Sequence, residues 1–219
     1  MAITHATSDV PEVDPLVPTG APGELLPGYA SGPDSFGFWG MLGLITTEAL
    51  LFSSLIASYF YLRFRAGPHH WPPAGIAPPE LTLPLIMTAI LWSSSIPVHL
   101  ADHAIRRGSQ RGLRLGLLGG FLLGATFLGL QLIVEYPKTL DLFTPRTNAY
   151  GSLFFTLTGF HGFHVLVGLA ISVFVQIRAW QGAFDRHRHL MVRNFAMYWH
   201  FVDAVWALIL CTVYLSPRL

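Results

Sequence analysis

The sequence predicts an all-α polytopic membrane protein, a bundle of five transmembrane helices. Three observations carry that prediction. Of 219 residues, 52% are hydrophobic and 11% charged, against roughly a quarter charged in an average soluble domain. Five apolar runs are each long enough to cross about 30 Å of hydrocarbon, which takes ~20 residues at a rise of ~1.5 Å. The charged residues gather in the breaks between those runs. Because the membrane core holds no water to pair open backbone groups, continuous apolar runs of this length form helices rather than barrel strands.

In chain order, residues 1–35 come first. They contain no Lys or Arg and no apolar core, and are rich in Pro, Gly and acids. That composition predicts a flexible cytoplasmic tail and argues against a signal peptide. The spans follow as Phe36 to Phe64, Leu81 to Leu100, Leu113 to Val134, Tyr150 to Ile177 and Phe195 to Leu215, one transmembrane domain over 36–219. The first break, Gly67 to Glu80, holds Pro68, Pro72, Pro73, Pro78 and Pro79, which stops a helix and favours an extended loop. Gly116, Gly119, Gly120 and Gly124 on the third span let helices approach closely, a packing signal. The tryptophans Trp39, Trp71, Trp92, Trp199 and Trp206 read as interface anchors and packing residues.

Orientation follows from the basic residues in the loops. Arg106, Arg107, Arg111 and Arg114 mark the second break, and Arg178, Arg186, Arg188 and Arg193 the fourth. The other side carries Arg63, Arg65, Lys138, Arg146 and Arg218. The arginine-rich loops therefore face the cytoplasm or matrix, which puts the N-terminus inside and the C-terminus outside. A net charge of +1 with dispersed Lys and Arg excludes a nucleic-acid surface. The single Cys211 allows neither an intrachain disulfide nor a Cys-rich metal site.

Ionisable groups inside a span cost a few kcal/mol when unpaired, so each is a functional candidate. Glu48 lies twelve residues into the first span, ~18 Å along the axis and near mid-membrane. It is either a proton-exchanging carboxyl or a structural acid hydrogen-bonded to a neighbouring helix. His161 and His164, three apart on the fourth span, are expected to share a face at the depth of Glu48 and to partner it. His200 and Asp203 repeat the spacing on the fifth span, predicting a contact within that helix completed by a neighbour. Together these four form the expected buried polar cluster. No metal ligand set is predicted, since there is no Cys-rich motif and no HExxH. Arg178, fourteen residues after His164 and on nearly the same face, reads either as an ordinary flanking arginine or as a cation for a lipid headgroup.

Five blocks of sequence, in order, resemble subunit III of the haem-copper cytochrome c oxidases. They are Thr47-Glu48-Ala49-Leu50-Leu51-Phe52 with Ser58-Tyr59-Phe60-Tyr61; Trp71-Pro72-Pro73 with Gly75-Ile76, then Ser93-Ser94-Ser95 with His99 and Ala104; Gln131 with Glu135-Tyr136; Gly151 to Phe155 with Thr158-Gly159-Phe160-His161-Gly162-Phe163-His164-Val165 and Gly168; and Tyr198-Trp199-His200-Phe201-Val202-Asp203-Ala204-Val205-Trp206. The commonest form of the family has seven helices, and this sequence is similar to the shorter five-helix bacterial type. That type also occurs in quinol oxidases and in a relative linked to nitric oxide reductase. A lipid cleft bounded by the two missing helices must then be altered or completed by another subunit.

The resemblance implies a chain with no redox centre in a proton-pumping oxidase of the bacterial inner membrane. It would pack against the catalytic subunit I and subunit II, which hold the haem and copper. Its implied roles are to stabilise the catalytic subunit, hold structural phospholipid and support proton uptake, meeting cytochrome c or quinol only through the complex. Glu48 falls on the family's membrane-buried glutamate, and His164 and Arg178 fall on its lipid contacts. Two other functions remain open from the residues: a free-standing proton-coupled transporter, and a haem b carrier with histidine axial ligands.

Overall fold

The computed structural model describes residues 35–67, 70–73, 76 and 79–218. Residues 1–34, together with Pro68, Gly75 and Pro78, lie outside the described residues. Among the described residues the long helices are five: α1 Phe36–Ala66, α2 Thr82–Arg106, α3 Gln110–Leu142, α4 Ala149–Trp180 and α5 Leu190–Arg218. All five are long and apolar enough to cross a membrane, and no strand occurs among the described residues.

Helix starts follow local chemistry. Ser35, expected in the tail, instead caps α1, its hydroxyl accepting from the Phe38 N–H at 3.2 Å. Ser109 and Asn148 do the same for α3 and α4, accepting from Gly112 and Gly151. A side-chain oxygen at this position satisfies one of the backbone donors that the first helical turn leaves open. Gly67 ends α1 at φ +89° and Gly108 turns α2 into α3 at φ +80°, backbone conformations that side chains with a Cβ rarely adopt.

The helices outrun the apolar windows. Arg106, Arg111, Arg114, Arg178 and Arg193, expected in loops or at span edges, are all helical, so the α2–α3 connection shrinks to residues 107–109. Apolar character marks where lipid ends, whereas intrahelical hydrogen bonds continue until a cap stops them. Arg114 stacks 4.8 Å from the Trp180 ring and donates to the Ala179 carbonyl.

Helices α2, α3, α4 and α5 close into a four-helix bundle in which each packs on two neighbours, and α1 lies outside it against α4 and α5. Lipid is as apolar as leucine, so close packing and interhelical hydrogen bonds supply the attraction between helices. Glycine provides the closeness, as expected. A Cβ on Gly116 would fall 2.5 Å from the Pro97 carbonyl and 2.8 Å from the Ala101 Cβ, and one on Gly112 would fall 2.7 Å from the Ala104 Cβ.

Trp199 fixes the centre. Its ring from α5 fits between Gly124 of α3 and Gly168 of α4, where an added Cβ would come within 2.6 and 2.7 Å of it. Its indole N–H donates to Ser94 Oγ of α2 at 2.9 Å, so one side chain touches all four helices. Trp206, further along α5, donates to Thr88 at 2.8 Å. By contrast, Trp39 and Trp92 are exposed, Trp92 near the middle of α2 rather than at a membrane interface.

Two π-helical segments interrupt the C-terminal turns, Gln131–Glu135 in α3 and Leu210–Leu215 in α5. Their extra residues bring buried polar groups together. The Tyr214 hydroxyl donates to Glu135 Oε1 at 3.0 Å, and Gln131 Nε2 donates to the Thr158 carbonyl at 2.9 Å. Helix α1 joins the bundle at this end through Tyr59, whose hydroxyl lies 3.0 Å from Ser216 Oγ.

Candidate functional site

The site is built where α1 crosses α4. Glu48 Oε2 lies 3.0 Å from His164 Nε2, and His164 Nδ1 lies 2.7 Å from the Phe160 carbonyl one turn back. A carbonyl only accepts, so Nδ1 carries a proton. That leaves two forms of the pair: a neutral imidazole accepting from a protonated Glu48, or an imidazolium facing a carboxylate. Both are neutral overall, which is how an acid and a base persist where an isolated charge would be expelled. One proton can move between Glu48 and His164 without changing the net charge of the pair.

Packing orients the imidazole. Phe52 of α1 meets it edge-on at 5.0 Å between centroids, and the Tyr198 hydroxyl of α5 donates to the His164 backbone carbonyl at 3.1 Å. The His164 side chain is 10% exposed and that of Glu48 28%. The pair thus opens toward the outer side of α1, a helix that fully buries only Phe52 and Tyr59.

His161 is not part of this pair. It is fully buried on a neighbouring face of α4, between Phe127 of α3 at 5.8 Å and Trp206 of α5 at 5.0 Å, and neither ring nitrogen has a hydrogen-bond partner among the described residues. The expectation that both histidines share Glu48 is corrected. A three-residue step leaves ~60° between side chains, and α4 has α1 on one flank and α3 and α5 on the other, so that angle sends the two rings to different neighbours.

The expected four-residue buried cluster is likewise divided. His200 is exposed on the surface of the chain, while Asp203 is buried. No hydrogen bond joins them directly among the described residues. Ser95 of α2 joins them, its hydroxyl 3.1 Å from His200 Nδ1 and hydrogen-bonded to Asp203 Oδ2. Asp203 Oδ1 is buried without a partner among the described residues. Arg178 is exposed near the end of α4, fourteen residues and so ~21 Å of helical rise from His164. The pairing of Glu135 with Tyr214 and the bridging by Ser95 were missed by sequence reasoning, because neither partner of each pair announces the other. Glu135 stood out as an acid at the polar end of an apolar run and within a resembling block, and neither signal points to Tyr214.

Fold and site define a polytopic helical membrane protein that places acids and histidines between its helices, Glu48 and His164 hydrogen-bonded to each other. The profile of cytochrome c oxidase subunit III matches residues 34–217. The cytochrome c oxidase subunit 3 of Thermostichus vulcanus is 38% identical over 188 residues, 85% of this chain and 90% of that protein. Those of Loxodonta africana and Latimeria chalumnae are 33% and 34% identical over 80% of this chain and 68% of their own lengths. The chain belongs to the cytochrome c oxidase subunit III family.

Proposed function

We propose that this chain is the non-catalytic subunit III of a haem-copper terminal oxidase in aerobic respiratory electron transport. Family membership across residues 34–217 carries the reading. In it the arginine-rich end of the bundle faces the cytoplasm of a bacterial inner membrane. Haem and copper reside in subunits I and II, and the electron donor, cytochrome c or quinol, is met only by the complex. This chain stabilises subunit I through turnover. Arg178 holds a phospholipid phosphate at headgroup depth, with the acyl chain lying along α4 toward the Glu48–His164 pair. The pair, carrying one mobile proton, supports proton uptake by the complex.

Gentle detergent extraction of a tagged chain tests the reading. Co-purification with a larger haem-bearing subunit is expected. A chain that emerges with neither haem nor partner refutes it. A Soret band from the isolated chain would instead favour an electron carrier with histidine axial ligands.

A further inference from the structure

At the end of the bundle opposite the arginine-rich loops, where the chain enters α2 beside the last turns of α3, lies a cavity of about 400 Å³. Glu135, Lys138, Thr139 and Leu142 follow at steps of three and four along one face of α3 and form one wall, and Glu80, just before α2, lines the other. Glu135 comes directly after the apolar run that ends at Val134. The cavity therefore sits at the edge of the hydrocarbon, at the depth of lipid headgroups.

Its floor is polar and only half satisfied. Glu135 is 4% exposed and Thr139 2%. The Tyr214 hydroxyl donates to Glu135 Oε1, whereas Oε2 and the Thr139 hydroxyl make no hydrogen bond among the described residues. Buried polar atoms in folded proteins find a partner in protein, water or ligand. Arg218 is engaged elsewhere, donating to the carbonyls of Tyr214 and Pro79. At the rim Glu80, Lys138 and Asp141 are exposed, and none of these three nor Glu135 is in an ion pair among the described residues. The π-helical turn Gln131–Glu135 sets the acid in place, a distortion that recurs at functional sites.

The chemistry of the lining selects the ligand. A cation suits the open acid, but no three acids or histidines among the described residues converge as a metal's ligands. A primary ammonium brings three N–H donors to a floor that offers acceptors. A quaternary ammonium brings none and is held by aromatic faces, and no aromatic ring lines the cavity. Lys138 at the rim calls for an anion tethered to that cation. Leu142, 51% exposed, carries the wall onto the apolar surface where acyl chains lie. We infer that the cavity binds the ethanolamine headgroup of a phospholipid, its ammonium on Glu135 Oε2 and the Thr139 hydroxyl and its phosphate on Lys138. The inference rests on the chain crossing a membrane and not on its assignment to an oxidase. The site is separate from the phosphate contact of Arg178, which lies at the other end of the bundle.

Lipid binding to the purified, delipidated protein in its complex tests it, read by native mass spectrometry with phosphatidylethanolamine, phosphatidylcholine and phosphatidylglycerol of the same acyl chains. One phosphatidylethanolamine should bind about tenfold or more tightly than either of the others, the scale of one charge-assisted hydrogen bond. Glu135→Gln, whose amide carbonyl still accepts from Tyr214, should abolish that preference. Lys138→Gln, at an exposed position, should weaken phosphatidylethanolamine binding severalfold. Equal affinity for the three lipids, tighter binding of phosphatidylglycerol, or a preference that survives Glu135→Gln overturns the inference. Free phosphoethanolamine binding as tightly as the lipid shows that no acyl chain is recognised and overturns the lipid assignment.

Discussion

Replacing Glu48 separates the two roles its carboxyl could play in holding α1 to α4. In Glu48→Ala, His164 Nε2 loses its hydrogen-bond partner while Nδ1 keeps Phe160. The orphaned nitrogen belongs to a side chain only 10% exposed, and a buried polar group left unpaired costs roughly 1–3 kcal/mol. We expect about 2 kcal/mol, a fall in Tm of roughly 4–8 °C at ~2–4 °C per kcal/mol for a chain of this size. Glu48→Gln retains a donor for the neutral imidazole, so only the difference between a charge-assisted and a neutral hydrogen bond is lost, about 1 kcal/mol or less. Thermal unfolding of the purified complex, followed by release of this chain, reads both. The amide variant should also abolish proton exchange at the pair, so proton uptake falls while the chain stays bound. Equal thermal loss in the two variants would refute the reasoning, because the hydrogen bond that the amide retains would then stabilise nothing.

Tyr214→Phe leaves the buried Glu135 without its phenolic donor and should destabilise by ~1–3 kcal/mol, read as earlier thermal release of the chain. Gly116→Leu drives a side chain into the Pro97 carbonyl and Ala101 and should cost ~1–3 kcal/mol or more. Gly43→Ala, where an added Cβ meets nothing within 4 Å, should be neutral or stabilise by about 0.5–1 kcal/mol, measured in the same assay. In the α4–α5 loop, the backbone N–H groups of Arg188 and His187 donate to Asp185 and hold its carboxyl below the usual carboxylate range. A depressed native pKa means that the ionised form belongs to the ordered loop. The order is present above the ordinary carboxylate pKa and is lost as pH falls through the depressed one. Hydrogen exchange at His187 and Arg188, corrected for intrinsic rates, should accelerate in that acid window and should not do so in Asp185→Ala.

The number of crossings, their places in the chain and the glycine contacts of α3 were legible in the amino-acid order. So was the presence of costly polar groups at Glu48, His161, His164, His200 and Asp203. These are local properties. A helix in lipid satisfies its backbone within itself, and a charge or an imidazole in an apolar run is conspicuous whatever its neighbours. Which groups meet was decided only by the tertiary structure. His164 faces Glu48 while His161, one turn away, faces Trp206; Ser95 joins His200 to Asp203; and α1 stands outside a closed bundle of the other four helices. In water an apolar stripe marks the buried side of a helix, but here lipid and protein interior are equally apolar. Leu50 and Phe64 point outward from α1 as readily as Phe52 points inward, so only the packing of all five helices selects the faces that come together.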